Sequence, residues 1–79
     1  MYQTSQSDPT RVLFSPLPGK IVKVLAREGE FVKEGQSVFI VESMKMLHVL
    51  RVEKPGKMKN ISVKEGDLVF PTNHLAYVL

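Results

Sequence analysis

The chain has no cysteine among its 79 residues, so it has neither a disulfide framework nor a thiolate metal site. Its two histidines, His48 and His74, stand far apart in sequence and lack a convergent acid cluster. No metal site is expected, and no residue is assigned a catalytic role. Long apolar runs are also missing; none approaches the roughly 20 residues that span a bilayer. Residues 1–10 lack the basic start and apolar stretch of a secretory signal, and read as a flexible leader or linker. These absences favour a reducing, soluble compartment without a membrane partner. From Arg11 onward helical periodicity is absent too, which turns attention to strands.

Charge of one sign is not concentrated anywhere. Eleven basic and eight acidic side chains give a net +3, with the lysines interspersed among acids and apolar residues. That pattern reads as a solvated surface whose edge lysines discourage strand-to-strand aggregation. A nucleic-acid surface would need clustered bases and stacking aromatics. Here the aromatics, Tyr2, Phe14, Phe31, Phe39, Phe70 and Tyr77, sit mostly inside apolar runs and are better explained as core. No nucleic-acid partner is expected, and a small basic β-barrel that binds one is kept only as an alternative.

What the chain does contain is a repeat. Pro18-Gly19-Lys20 recurs as Pro55-Gly56-Lys57, and the match runs without a gap to Glu42 and Leu79. Seven of the 25 pairs are identical, where average composition gives about one or two. Short Val/Ile/Leu/Phe runs cut by Gly and Pro are an all-β pattern. Strands are predicted at Arg11–Ser15, Lys20–Ala26, Phe31–Val32, Ser37–Glu42, Met46–Val52, Lys57–Val63, Leu68–Val69 and Leu75–Leu79. Arg27-Glu28-Gly29-Glu30 and Lys64-Glu65-Gly66-Asp67 are matching turns whose glycines supply positive φ. The two Pro-Gly pairs read as matching corners, with glycine freeing the second angle. The two four-stranded copies should pack on one another about a two-fold axis as one domain, residues 11–79. Ile21, Val38, Ile40, Leu50, Ile61, Leu75 and Tyr77 are the candidate inward positions. The unbroken run Val38-Phe39-Ile40-Val41 leaves some facings open. Such a short chain buries only a little over ~60% of its unfolded surface, so the core is modest.

Between the two copies stands Glu42-Ser43-Met44-Lys45-Met46. There is room only for a tight hairpin, with Lys45 at or beside its tip. Turns ordinarily use Gly, Asn, Asp or Pro, and two methionines bracketing a lysine there are wasted unless something recognises them. The competing explanation is that Met44 and Met46 fill a barrel end, since methionine packs adaptably.

This pentapeptide resembles the attachment motif of biotinyl domains, the carrier domains of biotin-dependent carboxylases within the biotin/lipoyl attachment family. The resemblance extends over Val12 to Leu79, because the glycine turns and the repeat also fit. It implies an all-β flattened barrel, or sandwich, of two four-stranded antiparallel sheets with quasi-two-fold symmetry, its modified lysine on a protruding hairpin. By the same resemblance Lys45 takes covalent biotin from a biotin protein ligase. Met44 and Met46 would be the flanking residues that the ligase reads, with Ser43 and Glu42 completing the motif. The arm would then shuttle carboxyl groups, as carboxybiotin, between biotin carboxylase and carboxyltransferase partners. Tethering raises the effective concentration of the cofactor at both. The domain itself would be a non-catalytic carrier, cytoplasmic, or in the mitochondrial matrix if it belongs to a larger eukaryotic carboxylase.

Related lipoyl domains share the architecture, so lipoate on the same lysine is the alternative cofactor. Those domains usually place an acidic and a small residue beside the lysine; methionines on both sides are the biotin form. Some features depart from the pattern. Ser43 stands where alanine is commoner, and Leu47-His48 replaces a stretch more often polar. No insertion between Lys20 and Glu42 provides the thumb-like loop of some bacterial acetyl-CoA carboxylase carriers. Thr72 occupies the place matching Gly35, which predicts a differently built last turn.

Overall fold

Apolar runs interrupted by glycine become eight short strands in the computed structural model, which describes residues 11–71 and 73–79. The leader proposed for residues 1–10 lies outside the described residues. The strands are β1 (Arg11–Phe14), β2 (Gly19–Val24), β3 (Phe31–Val32), β4 (Ser37–Ser43), β5 (Met46–Arg51), β6 (Gly56–Lys59), β7 (Leu68–Val69) and β8 (His74–Val78). They form two four-stranded sheets, ordered β1-β8-β6-β3 and β5-β4-β2-β7. Every pairing is antiparallel. Among the described residues no helix is long and apolar enough to cross a membrane.

The two copies are interleaved, not stacked as separate units. Each sheet takes two strands from β1–β4 and two from β5–β8. A strand of either copy finds its hydrogen-bond partners largely in the other, so neither half can satisfy its backbone alone. The two-fold relation holds at the level of single bonds. Gly29 N–H donates to Met58 O at 2.7 Å, and Gly66 N–H donates to Ile21 O at the same distance. Leu25 N–H to Val38 O (2.8 Å) is matched by Ser62 N–H to Leu75 O (2.9 Å). Gly29 and Gly66 have φ of 81° and 96°, the positive values their turns require. Thr72 lies outside the described residues. The bonds flanking it, Phe70 N–H to Asn73 Oδ1 and Asn73 N–H to Phe70 O, nevertheless repeat those of Lys33 and Gln36.

Three expectations need correction. The sixth strand ends at Lys59, not Val63, because Asn60 turns to φ 53°. There the Glu28 carboxylate accepts the N–H groups of Asn60 and Ile61 at 2.8 and 2.9 Å, taking over from a ladder. Second, Gly19 and Gly56 are not corner residues with positive φ; they open β2 and β6. Each is glycine because backbone passes against it. A Cβ on Gly19 would collide with the carbonyl oxygen of Glu42, and one on Gly56 with that of Leu79.

The third correction concerns facing. Ile21, Val38 and Leu75 are buried as expected, and Leu50 and Ile61 pack partly against the core. Ile40 and Tyr77 are only half-buried; Phe39, Val41, Ala76 and Val78 fill the interior instead. The cause is a pair of related bulges. Val38 is the extra residue of β4 opposite Arg51 and Leu50, and Leu75 the extra residue of β8 opposite Leu13 and Phe14. A bulge lets two successive side chains face one way and shifts all that follow. Strict alternation could not foresee it.

Candidate functional site

β4 and β5 pair through Ser43 and Met46, which leaves Met44 and Lys45 as a two-residue loop. Their φ values are 53° and 65°. Positive φ at both central residues is the mark of a type I′ turn, whose twist suits the flanking strands. Asn and Gly adopt that conformation cheaply, whereas a residue with an ordinary side chain is strained by about 1–2 kcal/mol. The local backbone would thus prefer other residues here, which points to selection for the side chains themselves.

Those side chains stand in water. Met44 is 92% exposed, Met46 and Leu47 are each 63% exposed, and Lys45 is exposed. Neither methionine fills a barrel end, which disposes of the packing explanation. Among the described residues the one ion pair joins Lys64 and Asp67, so Lys45 holds no carboxylate. Glu42 is exposed on β4, between Lys20 of β2 and Leu47 of β5.

The base of the hairpin is, by contrast, tightly held. Ser43 is buried, and its hydroxyl donates to the Pro18 carbonyl at 2.6 Å. One residue on, Gly19 lets β2 lie close against the Glu42 carbonyl. A hydrogen-bonded stem therefore carries an apex with no side-chain hydrogen bond or ion pair among the described residues. Alanine at position 43 could not make the bond to Pro18, so serine here does more than occupy space.

The structure also assembles a surface feature that the local sequence pattern does not announce. Beside the hairpin lies an open groove of about 600 Å³, walled by Leu17, Met44, Lys45, Leu68 and Phe70. Leu68 and Phe70 are 72% and 54% exposed. Phe14, Phe31 and Phe70, which the sequence pattern assigns to the core, all lie on the surface.

The histidines take no part in the apex. His48 is half-buried on β5 opposite Val41. His74 belongs to the other sheet, where its ring meets Phe14 edge-on at 6.3 Å and Tyr77 at 5.4 Å. Among the described residues no three His, Cys, Asp or Glu side chains converge.

Comparison with known proteins agrees with this geometry. A family model described as "Biotin-requiring enzyme" matches residues 11–78. The propionyl-CoA carboxylase alpha chain of Sus scrofa is 38% identical over 87% of this chain, which corresponds to 10% of that protein. The chain thus spans about a tenth of the length of this carboxylase relative. The biotin carboxyl carrier protein of acetyl-CoA carboxylase from Solanum lycopersicum is 42% identical over 70% of this chain and 79% of its own. Among solved structures, the urea carboxylase of Kluyveromyces lactis matches with a TM-score of 0.82 and 30% identity, over 100% of this chain and 7% of that one. The lipoyl domain of the 2-oxoglutarate dehydrogenase complex from Azotobacter vinelandii has a TM-score of 0.77 at 22% identity, over 86% of this chain and 94% of that one; this likeness concerns the fold alone. With the family model covering all eight described strands, the chain belongs to the biotin/lipoyl attachment family, as a biotin carrier domain of the kind found in biotin-dependent carboxylases.

Proposed function

We propose that Lys45 is the covalent attachment point for biotin, and that the domain presents this arm in turn to a biotin protein ligase, a biotin carboxylase and a carboxyltransferase. The observation that carries the reading is the strained, two-residue apex, which displays one amine between two exposed methionines. The residues fit the group. Amide formation needs an amine that a second protein's active site can surround, and Lys45 projects from a narrow hairpin without a carboxylate partner among the described residues.

In the ligation step Lys45 Nζ attacks the acyl carbon of a biotinyl-adenylate. The N–C bond forms, the C–O bond to phosphate breaks, and AMP leaves. Lysine in its ammonium form has three N–H donors and no lone pair to offer. The ligase therefore supplies the activated acyl group and accepts the amine's proton, while this chain supplies position. Met44 and Met46 offer the ligase two apolar, adaptable contacts on either side of the nucleophile. Ser43, bonded to Pro18, fixes the stem from which the amine projects. Acylation removes one positive charge from the formal +3.

Biotin, once attached, supplies a ring nitrogen that accepts and releases a carboxyl group. The domain contributes neither acid nor base to that chemistry. It holds the amide nitrogen at the hairpin tip and raises the local concentration of the ring at each partner. On this reading the domain works beside such partners in the cytosol or the mitochondrial matrix, and the mitochondrial carboxylases among its relatives support the matrix.

Lys45→Arg should abolish biotin incorporation and leave stability within about 0.5 kcal/mol, as for other exposed substitutions. Streptavidin blotting with intact mass, after expression beside a biotin ligase or a lipoate ligase, checks the first claim, and urea denaturation checks the second. Equal labelling of wild type and variant would place the site elsewhere. A lipoyl increment without a biotinyl one would transfer the chain to the lipoyl carriers.

A further inference from the structure

The interleaved repeat provides an internal control for surface features that lie within its two copies. β7 lies beside β2 through the pairs Gly19/Val69 and Lys20/Leu68. β3 lies beside β6 in the same register, through Gly56/Val32 and Lys57/Phe31. The same backbone niche is therefore built twice, once at the hairpin and once at its two-fold mate. What the fold requires is present in both: a glycine, a buried valine, and a large exposed apolar side chain on the short strand (Leu68 or Phe31).

Of the other walls, Pro18 and Lys20 recur as Pro55 and Lys57, and Glu42 is matched by Leu79. Leu17 and Phe70, however, stand where the mate has Lys54 and Lys33, both exposed. Lysine at the mate shows that this architecture tolerates a charge at both positions. Folding therefore does not demand apolar residues at these positions, where Leu17 is 37% and Phe70 54% exposed, and the apolar surface they leave in water costs solubility. Their apolar character has a reason confined to the end that carries Lys45.

We infer that the groove walled by Leu17, Leu68 and Phe70 is a resting site for the ring of the biotin attached to Lys45, an inference that rests on Lys45 being the attachment point. Lys45 and Met44 are themselves part of its wall, so the arm starts inside the site and needs only to fold back. At about 600 Å³ the groove falls within the size range of small-molecule sites. Its walls suit the thioether-bearing face of the ring, and the exposed Lys20 and Glu42 at its margin suit the polar ureido edge. A short tether gives an effective concentration in the millimolar range, so even millimolar intrinsic affinity keeps about half of the rings docked. The arm is then neither rigidly bound nor wholly free, and each partner protein must draw it out of the groove.

The test uses chains that intact mass shows to be biotinylated. Streptavidin capture is followed by stopped flow for wild type, for Leu17→Lys with Phe70→Lys, and for Leu17→Gln with Phe70→Gln as an uncharged pair. Because capture needs the undocked ring, both double variants should be captured about twofold faster or more. In wild type, biotinylation should shift the backbone amide resonances of Leu17, Val69 and Phe70, and in the variants it should not. Equal capture rates, with shifts confined to residues 44–47, would overturn the resting site. So would variants that load more slowly on the ligase yet are captured at the wild-type rate, since the groove would then serve the ligase. A wild-type chain that accepts no biotin would instead count against Lys45 as the attachment point.

Discussion

At the scale of single residues, the absence of a Cβ on Gly19 controls how close β2 comes to the stem of the hairpin. The atom a larger residue would meet is a backbone carbonyl oxygen, which cannot rotate away as a side-chain end can. Gly19→Ala should therefore destabilise by about 1–3 kcal/mol, the usual cost of forcing extra volume into packed structure. Urea denaturation gives the value. Ligation of the variant should fall only in proportion to its unfolded fraction, because the apex is untouched. Wild-type stability for Gly19→Ala would mean that the two strands can part without loss. From sequence this glycine looked like any glycine after proline in a turn. Close approach of a strand from elsewhere in the chain leaves no local signature, so its role was not legible.

At the scale of the element, the β4–β5 hairpin sets local stability against recognition. Two residues with ordinary side chains hold positive φ where asparagine or glycine would be comfortable. Met44→Asn should raise stability by a few tenths to about 1 kcal/mol, since asparagine tolerates the left-handed region. The same change should slow the ligase, because the side chain it removes is 92% exposed and offers its surface to a partner. Thermal unfolding and the initial rate of biotin incorporation read the two effects separately. An unchanged ligation rate would show that Met44 is not read. The apex itself was legible in advance: a strand ending at Glu42 and another starting near Met46 leave no room except for a tight turn. The groove was not. Exposed apolar residues in connections resemble core residues until a structure shows what stands opposite them, and the sequence pattern assigns Phe70 to the core for that reason. The signal that could have found it was already in the repeat, where Phe70 and Leu17 match lysines.

At the scale of the whole molecule, the gapless repeat made the two-fold symmetry and the strand count readable from sequence. It did not reveal that the halves exchange strands, because pairing between distant segments is not encoded in local periodicity. That exchange is reinforced by side chains reaching across the repeat. Glu28, from the first copy, accepts two backbone N–H groups of the second, at Asn60 and Ile61. Glu65 makes a longer return contact to Val24 N–H at 3.4 Å. The bonds from Ile61 and Asn60, chiefly, hold the Glu28 carboxyl below its ordinary range, and the nearby Lys59 adds to the effect. Asp67 is lowered too, mainly by the bond from the Lys64 N–H. Both acids lose protons more readily in the folded chain than in the unfolded one. The stability they contribute is therefore complete above the ordinary carboxylate range near pH 4, and drains away as pH falls through the lower folded values. Glu28→Gln should weaken the domain at neutral pH, since an amide oxygen accepts less strongly than a carboxylate. The gap between wild type and variant should narrow as the solution is acidified and the wild-type carboxylate is neutralised. Asp67 remains in both proteins, so the variant keeps part of the acid sensitivity. Urea midpoints measured from neutral to strongly acidic pH would show two curves converging at the acid end. A gap that stayed constant across that range would mean that Glu28 acts through shape alone, and that its charge does nothing to lock the two copies together.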